Sequence, residues 1–182
     1  MNYIFIPFLN TEHNEKLVSM ANEWKEAMDR ETRLEKKVNI ILFENYTANP
    51  LSGIKSDDVV YIISHGDNIT FDKFIYSDEN YLLSPCDLAD RLVVAGLNKG
   101  HKKIKLYICN SNDVVSEFAV DFKGKMREKG FAEVDVYYYR ASVSVPKEFS
   151  DGLFHKDGMI FSGETLLKTP RFRASNVRHR VP

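Results

Sequence analysis

A histidine and a cysteine each close an apolar run in this chain. His65 ends the run Asp58-Val-Val-Tyr-Ile-Ile-Ser-His65 and is followed by Gly66 and Asp67. Cys109 ends Lys103-Ile-Lys-Leu-Tyr-Ile-Cys109 and is followed by Asn110 and Ser111. Both runs read as buried strands. In an open parallel sheet the carboxyl ends of neighbouring strands line one crevice, where ligands bind. A free thiol is mostly protonated at neutral pH, so an adjacent imidazole that takes its proton makes it a nucleophile. The same imidazole then protonates a leaving amine. Gly66 lacks a Cβ, and its N–H with that of Cys109 could stabilise a tetrahedral oxyanion. Taken singly, a cysteine ending a strand is more often core and a His-Gly pair more often a turn. Taken together, at the same end of strands expected to be neighbours, they point to thiol-based acyl transfer.

Other chemistries fit less well. A tyrosine-phosphatase loop would carry Arg at position 115, where Val115 stands. There is no Gly-x-Ser-x-Gly elbow and no Walker loop. Cys86, His101, Cys109 and His65 are scattered without a Cys-x-x-Cys pair, so no zinc or other metal site is expected. Cys86, at a helix start, reads as structural. His13, His101, His155 and His179 read as surface residues. Tyr137-Tyr138-Tyr139 alternates faces of a strand and reads as core and groove lining.

The elements that must position the pair alternate strand and helix, the pattern of an α/β fold with a mainly parallel sheet. Strands are expected at 3–8, 38–43, 59–64, 104–108 and 134–139. A first helix is expected from Thr11, a plausible cap, to Lys36, with Leu17, Met20, Ala21, Trp24 and Met28 on one stripe. A second starts at Ser84 or Asp87 and ends by Gly96. A third runs from Val114 to Lys129, closed by Gly130. Residues 67–83 read as a small hairpin or a loop beside the crevice. Past the fifth strand, Leu153-Phe154-His155 and Met159-Ile160-Phe161 read as a β-hairpin turning at Lys156-Asp157-Gly158.

The chain has 182 residues, 43% of them hydrophobic and 28% charged, which fits one domain over 1–182. Its core spans about 1–145, and the hairpin and a basic tail about 146–182. The net charge of -1 argues against nucleic acid as a partner. Charge is uneven, since Lys168, Arg171, Arg173, Arg178 and Arg180 follow one another with no acidic residue between. No apolar run approaches ~18 residues, so no membrane span is expected. Met1 to Asn10 has no basic start and no small-residue cleavage site. A reactive thiol favours a reducing, cytoplasmic setting, or export as an effector without a cleaved signal peptide.

His-Gly after one strand and Cys after the next resembles the caspase–legumain–gingipain superfamily (clan CD) of cysteine peptidases. The closer likeness is to the autoprocessing cysteine-peptidase domains of RTX-type bacterial toxins. It rests on Leu83-Ser-Pro-Cys-Asp-Leu-Ala-Asp-Arg-Leu, Ile104-Lys-Leu-Tyr-Ile-Cys109, Glu117-Phe-Ala-Val-Asp-Phe and Val134-Asp-Val, and spans roughly 58–145. The resemblance implies a caspase-like three-layer α/β fold with a C-terminal β-hairpin flap. It implies an endopeptidase with Cys109 as nucleophile, His65 as base and Gly66 at the oxyanion hole. The stretch Arg140-Ala-Ser142-Val-Ser-Val145 resembles the segment that lines the substrate groove and pairs with an extended peptide. Arg140 would meet an acidic side chain in the caspase manner, whereas the toxin domains prefer leucine. The chemistry needs no cofactor. The toxin domains are switched on by inositol hexakisphosphate, which here would engage the basic tail at Lys168, Arg171 and Arg173, and Lys99, Lys102, Lys103 and Lys105 could add to the patch. A protein substrate cut in trans, by a bacterial effector or toxin-like protease, is the implied setting. The rival is a catalytically retired module that keeps the groove as a peptide or polyphosphate receptor.

Overall fold

Five apolar, β-branched-rich segments form the parallel heart of the molecule. In the computed structural model the described residues are 1–31, 33–44, 49–66, 74–78, 80–109, 114–159 and 172–182, with backbone alone for Leu34, Cys109, Val114, Met159 and Phe172. The strands in chain order are β1 (Asn2–Ile6), β2 (Val38–Leu42), β3 (Val59–His65), β4 (Ile75–Asp78), β5 (Tyr81–Leu83), β6 (Lys103–Cys109), β7 (Asp135–Tyr139), β8 (Ser142–Glu148), β9 (Phe154–Met159), β10 (Phe172–Arg173) and β11 (Arg178–Arg180). The helices are α1 (Glu15–Arg30), α2 (Pro85–Val94) and α3 (Val114–Glu128). The main sheet has the order β11-β7-β6-β3-β1-β2, parallel except for β11. Strand succession runs outward from the middle in both directions, through β1-α1-β2 one way and β3-α2-β6-α3-β7 the other. Right-handed crossovers then put α1 on one face and the packed pair α2 and α3 on the opposite face. Ile4, Ile62, Leu106 and Phe122 are fully buried between these layers.

Local chemistry sets the element ends. Leu17, Ala21, Trp24 and Met28 give α1 its buried stripe. The helix stops at Arg30, short of the expected Lys36, because Lys37 Nζ donates to the terminal carbonyls of Met28 and Asp29 at 2.8 and 2.7 Å. It also starts later than Thr11. Asn10–Glu12 is a 3₁₀ turn, and His13 at φ 52° breaks the path into α1. For α2, Ser84 Oγ accepts from the Asp87 N–H, and Asp87 returns the bond to the Ser84 N–H at 2.9 Å.

The C-terminal turn differs from the one expected at Lys156-Asp157-Gly158. Those residues lie inside β9, where Gly158 is in register with Val143 on one side and Phe172 on the other. The reversal falls at 149–153 instead. There Gly152 takes φ +71° and its N–H donates to the Phe149 carbonyl at 2.9 Å. Strands β8, β9 and β10 thus make a separate antiparallel sheet in the order β10-β9-β8, with β8 packed on α1. Ile160 and Phe161 lie outside the described residues.

Candidate functional site

His65 is the last residue of β3 and sits in direct register with Cys109, the last residue of β6. Register neighbours in a sheet lie about 4.8 Å apart. Strand β1 pairs with β3 only as far as Ile62, so β4 takes over that edge and Tyr76 becomes the other register partner of His65. The Tyr76 and His65 rings are 5.6 Å apart, and Ser64 Oγ pins β4 by donating to the Tyr76 carbonyl at 3.0 Å. His65 is half-buried. Its Nε2 is enclosed and has no hydrogen-bond partner among the described residues. Burial, with a smaller effect from Lys16, holds this imidazole below its ordinary range. It is therefore a neutral base at neutral pH. Gly66 follows at once and is half-buried. Asp67, Asn110 and Ser111 lie outside the described residues.

The segment expected to line a groove bridges β7 and β8. Arg140 is exposed, and its backbone N–H donates to the Val177 carbonyl at 3.0 Å. Ser142 opens β8 opposite Met159. The buried Tyr107, two residues before Cys109 on β6, donates its hydroxyl to the Ser144 carbonyl of β8. One phenol thus ties the strand that ends in the cysteine to the strand of the expected groove.

A second feature involves the amino-terminal halves of β1, β2, β3 and β6, through Asn2, Val38, Tyr61 and Lys105. A cavity of about 370 Å³ is lined by Arg33, Lys36, Lys105, Lys156, Arg173 and Arg178. Of the three residues expected to hold polyphosphate, Arg173 is on this wall, with its guanidinium 2.9 Å from Asp151. Lys168 and Arg171 lie outside the described residues. Lys105 also lines the cavity, but Lys102 pairs with Asp57 at 3.0 Å and Lys99 lies over the Phe131 ring. Lys156 was expected at a turn, and nothing in its local sequence distinguishes it from a solvated lysine. Arg33 and Lys36 were expected inside a helix. Lys156 and Arg173 reach the cavity through the pairing of β9 with β8 and β10.

Three other readings need correction or detail. His101 is fully buried rather than on the surface, with Nε2 3.0 Å from the Lys103 carbonyl. Cys86 is exposed at the start of α2. Tyr138 and Tyr139 are buried, as core lining requires. Among the described residues no helix is long and apolar enough to cross a membrane. Nor do three His, Cys, Asp or Glu side chains there gather as a metal site would need. No protein-family model matches the chain, and no curated protein is detectably similar to it.

Proposed function

We propose that this protein is a cysteine endopeptidase, with Cys109 as nucleophile and His65 as general base. One observation carries the reading: His65 and Cys109 are register neighbours at the carboxyl ends of two adjacent parallel strands. The enclosed, unpartnered Nε2 of a neutral imidazole supports it, because a general base must keep an unused lone pair. The thiol proton passes to His65, and the thiolate attacks the scissile carbonyl. The backbone N–H groups of Gly66 and Cys109 hold the oxyanion, and the imidazolium protonates the leaving amine. Water then hydrolyses the thioester. Strand β8 is the edge of its sheet among the described strands, which suits addition of an extended peptide beside Ser142. Arg140 stands at the start of that edge. The implied substrate is a protein cut in trans by a bacterial effector or toxin-like protease.

The basic cavity suits inositol hexakisphosphate or a similar polyphosphate as activator. Tyr107, which faces the cavity's Lys156 and bonds to β8, is the natural link between the two. The rival reading is a retired module that binds peptide or polyphosphate, and the basic cavity suits it as well.

Iodoacetamide alkylation of Cys109 across pH, read by mass spectrometry, separates the two. A peptidase gives a Cys109 rate that exceeds that of Cys86 and falls at least tenfold at pH 7 in His65→Ala. Equal rates for the two cysteines, indifferent to His65, leave only the binding module.

A further inference from the structure

Lys156, one of the residues that line the basic cavity, has an amine without a hydrogen-bond partner among the described residues. Its Nζ is fully enclosed. It lies 3.9 Å from the ring centres of both Trp24 and Tyr61 and 4.9 Å from that of Tyr107. Among the described residues no carboxylate pairs with it. Its charged neighbours, Lys105, Arg178 and Lys36, share its sign. Aromatic faces offer an ammonium some attraction. Removing that ion from water costs more than the rings return, so they alone do not hold it charged. Burial first, and the three cations next, hold Lys156 well below its ordinary range. An amine in that state carries a usable lone pair, which an ammonium does not. The guanidinium and ammonium groups of Arg33, Lys36, Lys105, Arg173 and Arg178 surround the same space and suit a phosphate.

We propose that Lys156 is a covalent capture site for a phosphorylated aldehyde or ketone, with the phosphate held by the cavity's cations and the carbonyl carbon joined to Nζ as an imine. Nζ attacks the carbonyl carbon, a C–N bond forms and one nitrogen proton passes to the oxygen. The resulting carbinolamine loses its hydroxyl together with the remaining nitrogen proton as water. Amine plus carbonyl gives imine plus water, with no oxidant or reductant. Tyr61 borders the cavity and stays protonated, since burial pushes its phenol up to about 12. It is a proton donor for the departing oxygen. The inference rests on the anion-binding reading of the cavity and is independent of Cys109.

The test treats the whole chain with pyridoxal 5′-phosphate or with pyridoxal, traps any imine with borohydride and maps adducts by peptide mass spectrometry. The expected result is one dominant adduct, on Lys156, formed at least tenfold faster with the phosphorylated aldehyde and blocked by inositol hexakisphosphate. Lys156→Arg removes it. Arg178→Ala slows it toward the pyridoxal rate while Lys156 remains. Labelling spread evenly over exposed lysines, centred on Lys105 or Lys36, or equal for both aldehydes overturns the proposal. If inositol hexakisphosphate raises the melting temperature but Lys156 is not labelled, the imine fails and the anion site stands. If neither occurs, both fail.

Discussion

Two histidines, His65 and His101, are kept neutral by burial, and this fixes the sign of their pH dependence. Each has its folded-state affinity for protons pushed below the ordinary value of 6.5, chiefly by desolvation. Between the folded pKa and 6.5 the unfolded chain binds more protons than the folded one. Stability therefore rises with pH through that window and is lost as pH falls below 6.5. His101 is the cleaner probe, because its ring is fully buried against the Lys103 carbonyl and far from any proposed chemistry in sequence. His101→Gln keeps a donor for that carbonyl and removes the titration. Its melting temperature is expected to fall less steeply than that of the wild type between pH 6.5 and about 5, and an unchanged slope would assign the acid sensitivity elsewhere. The contrast between these residues also marks what sequence carries at this scale. The places of His65 and Cys109 at adjacent strand ends were legible because each closes an apolar run. His101 was not, since it lies between a helix and a strand, where only the tertiary path decides whether a ring turns inward.

At the scale of elements, Glu31 makes one of the bonds that hold the second sheet to the first layer. Just past the end of α1, its carboxylate takes the Arg33 guanidinium at 2.5 Å and the backbone N–H of Phe154 in β9 at 3.2 Å. Arg33 is the main reason the carboxyl is pushed down to about 2, with the Phe154 bond adding to it. A depressed carboxylate contributes stability above its unfolded value of 4.5 and loses it as pH falls through the folded value near 2. Glu31→Gln should thus flatten acid unfolding across that window and raise hydrogen exchange at the Phe154 amide. Unaltered exchange there would mean that β9 is held without it. A second element-level expectation is smaller. Ser84→Ala removes the oxygen that accepts from the Asp87 N–H and should cost about 1 kcal/mol in denaturant melts, without altering the slope. The alternation of strand and helix was readable because period and caps are local. The turn at Lys156-Asp157-Gly158 was misread for an equally local reason: Asp-Gly favours a hairpin. Pairing on both sides of Gly158 outweighs that preference, and Gly152 supplies the left-handed residue instead.

Over the whole molecule a net charge of -1 hides a strong local excess of positive charge. Segments near positions 33, 105, 156 and 173–178 bring six lysine and arginine side chains to one cavity, whereas Glu35 is the one acidic wall residue among the described residues. Folding must bring these like charges together against their repulsion, a cost that a bound polyanion would offset. A polyphosphate bound only by the folded chain stabilises by about 2.7 kcal/mol at a hundred times its dissociation constant. For a protein of this size that is a rise of about 5–10 °C in melting temperature. The rise should shrink sharply in molar salt, because exposed charges are then screened within about 3 Å. Lys156→Met separates the two sides of this balance. Methionine fills similar volume with no charge to desolvate, so the unliganded protein should melt higher than the wild type. The same variant lacks an amine that a bound polyphosphate would draw back to its protonated form, so its gain from inositol hexakisphosphate should be smaller. A variant that melts lower without ligand would mean that the rings of Trp24 and Tyr61 hold Lys156 as a net stabilising ammonium. In that case the repulsion lies with Arg178, Lys105 and Lys36, and the ligand's gain should persist in Lys156→Met.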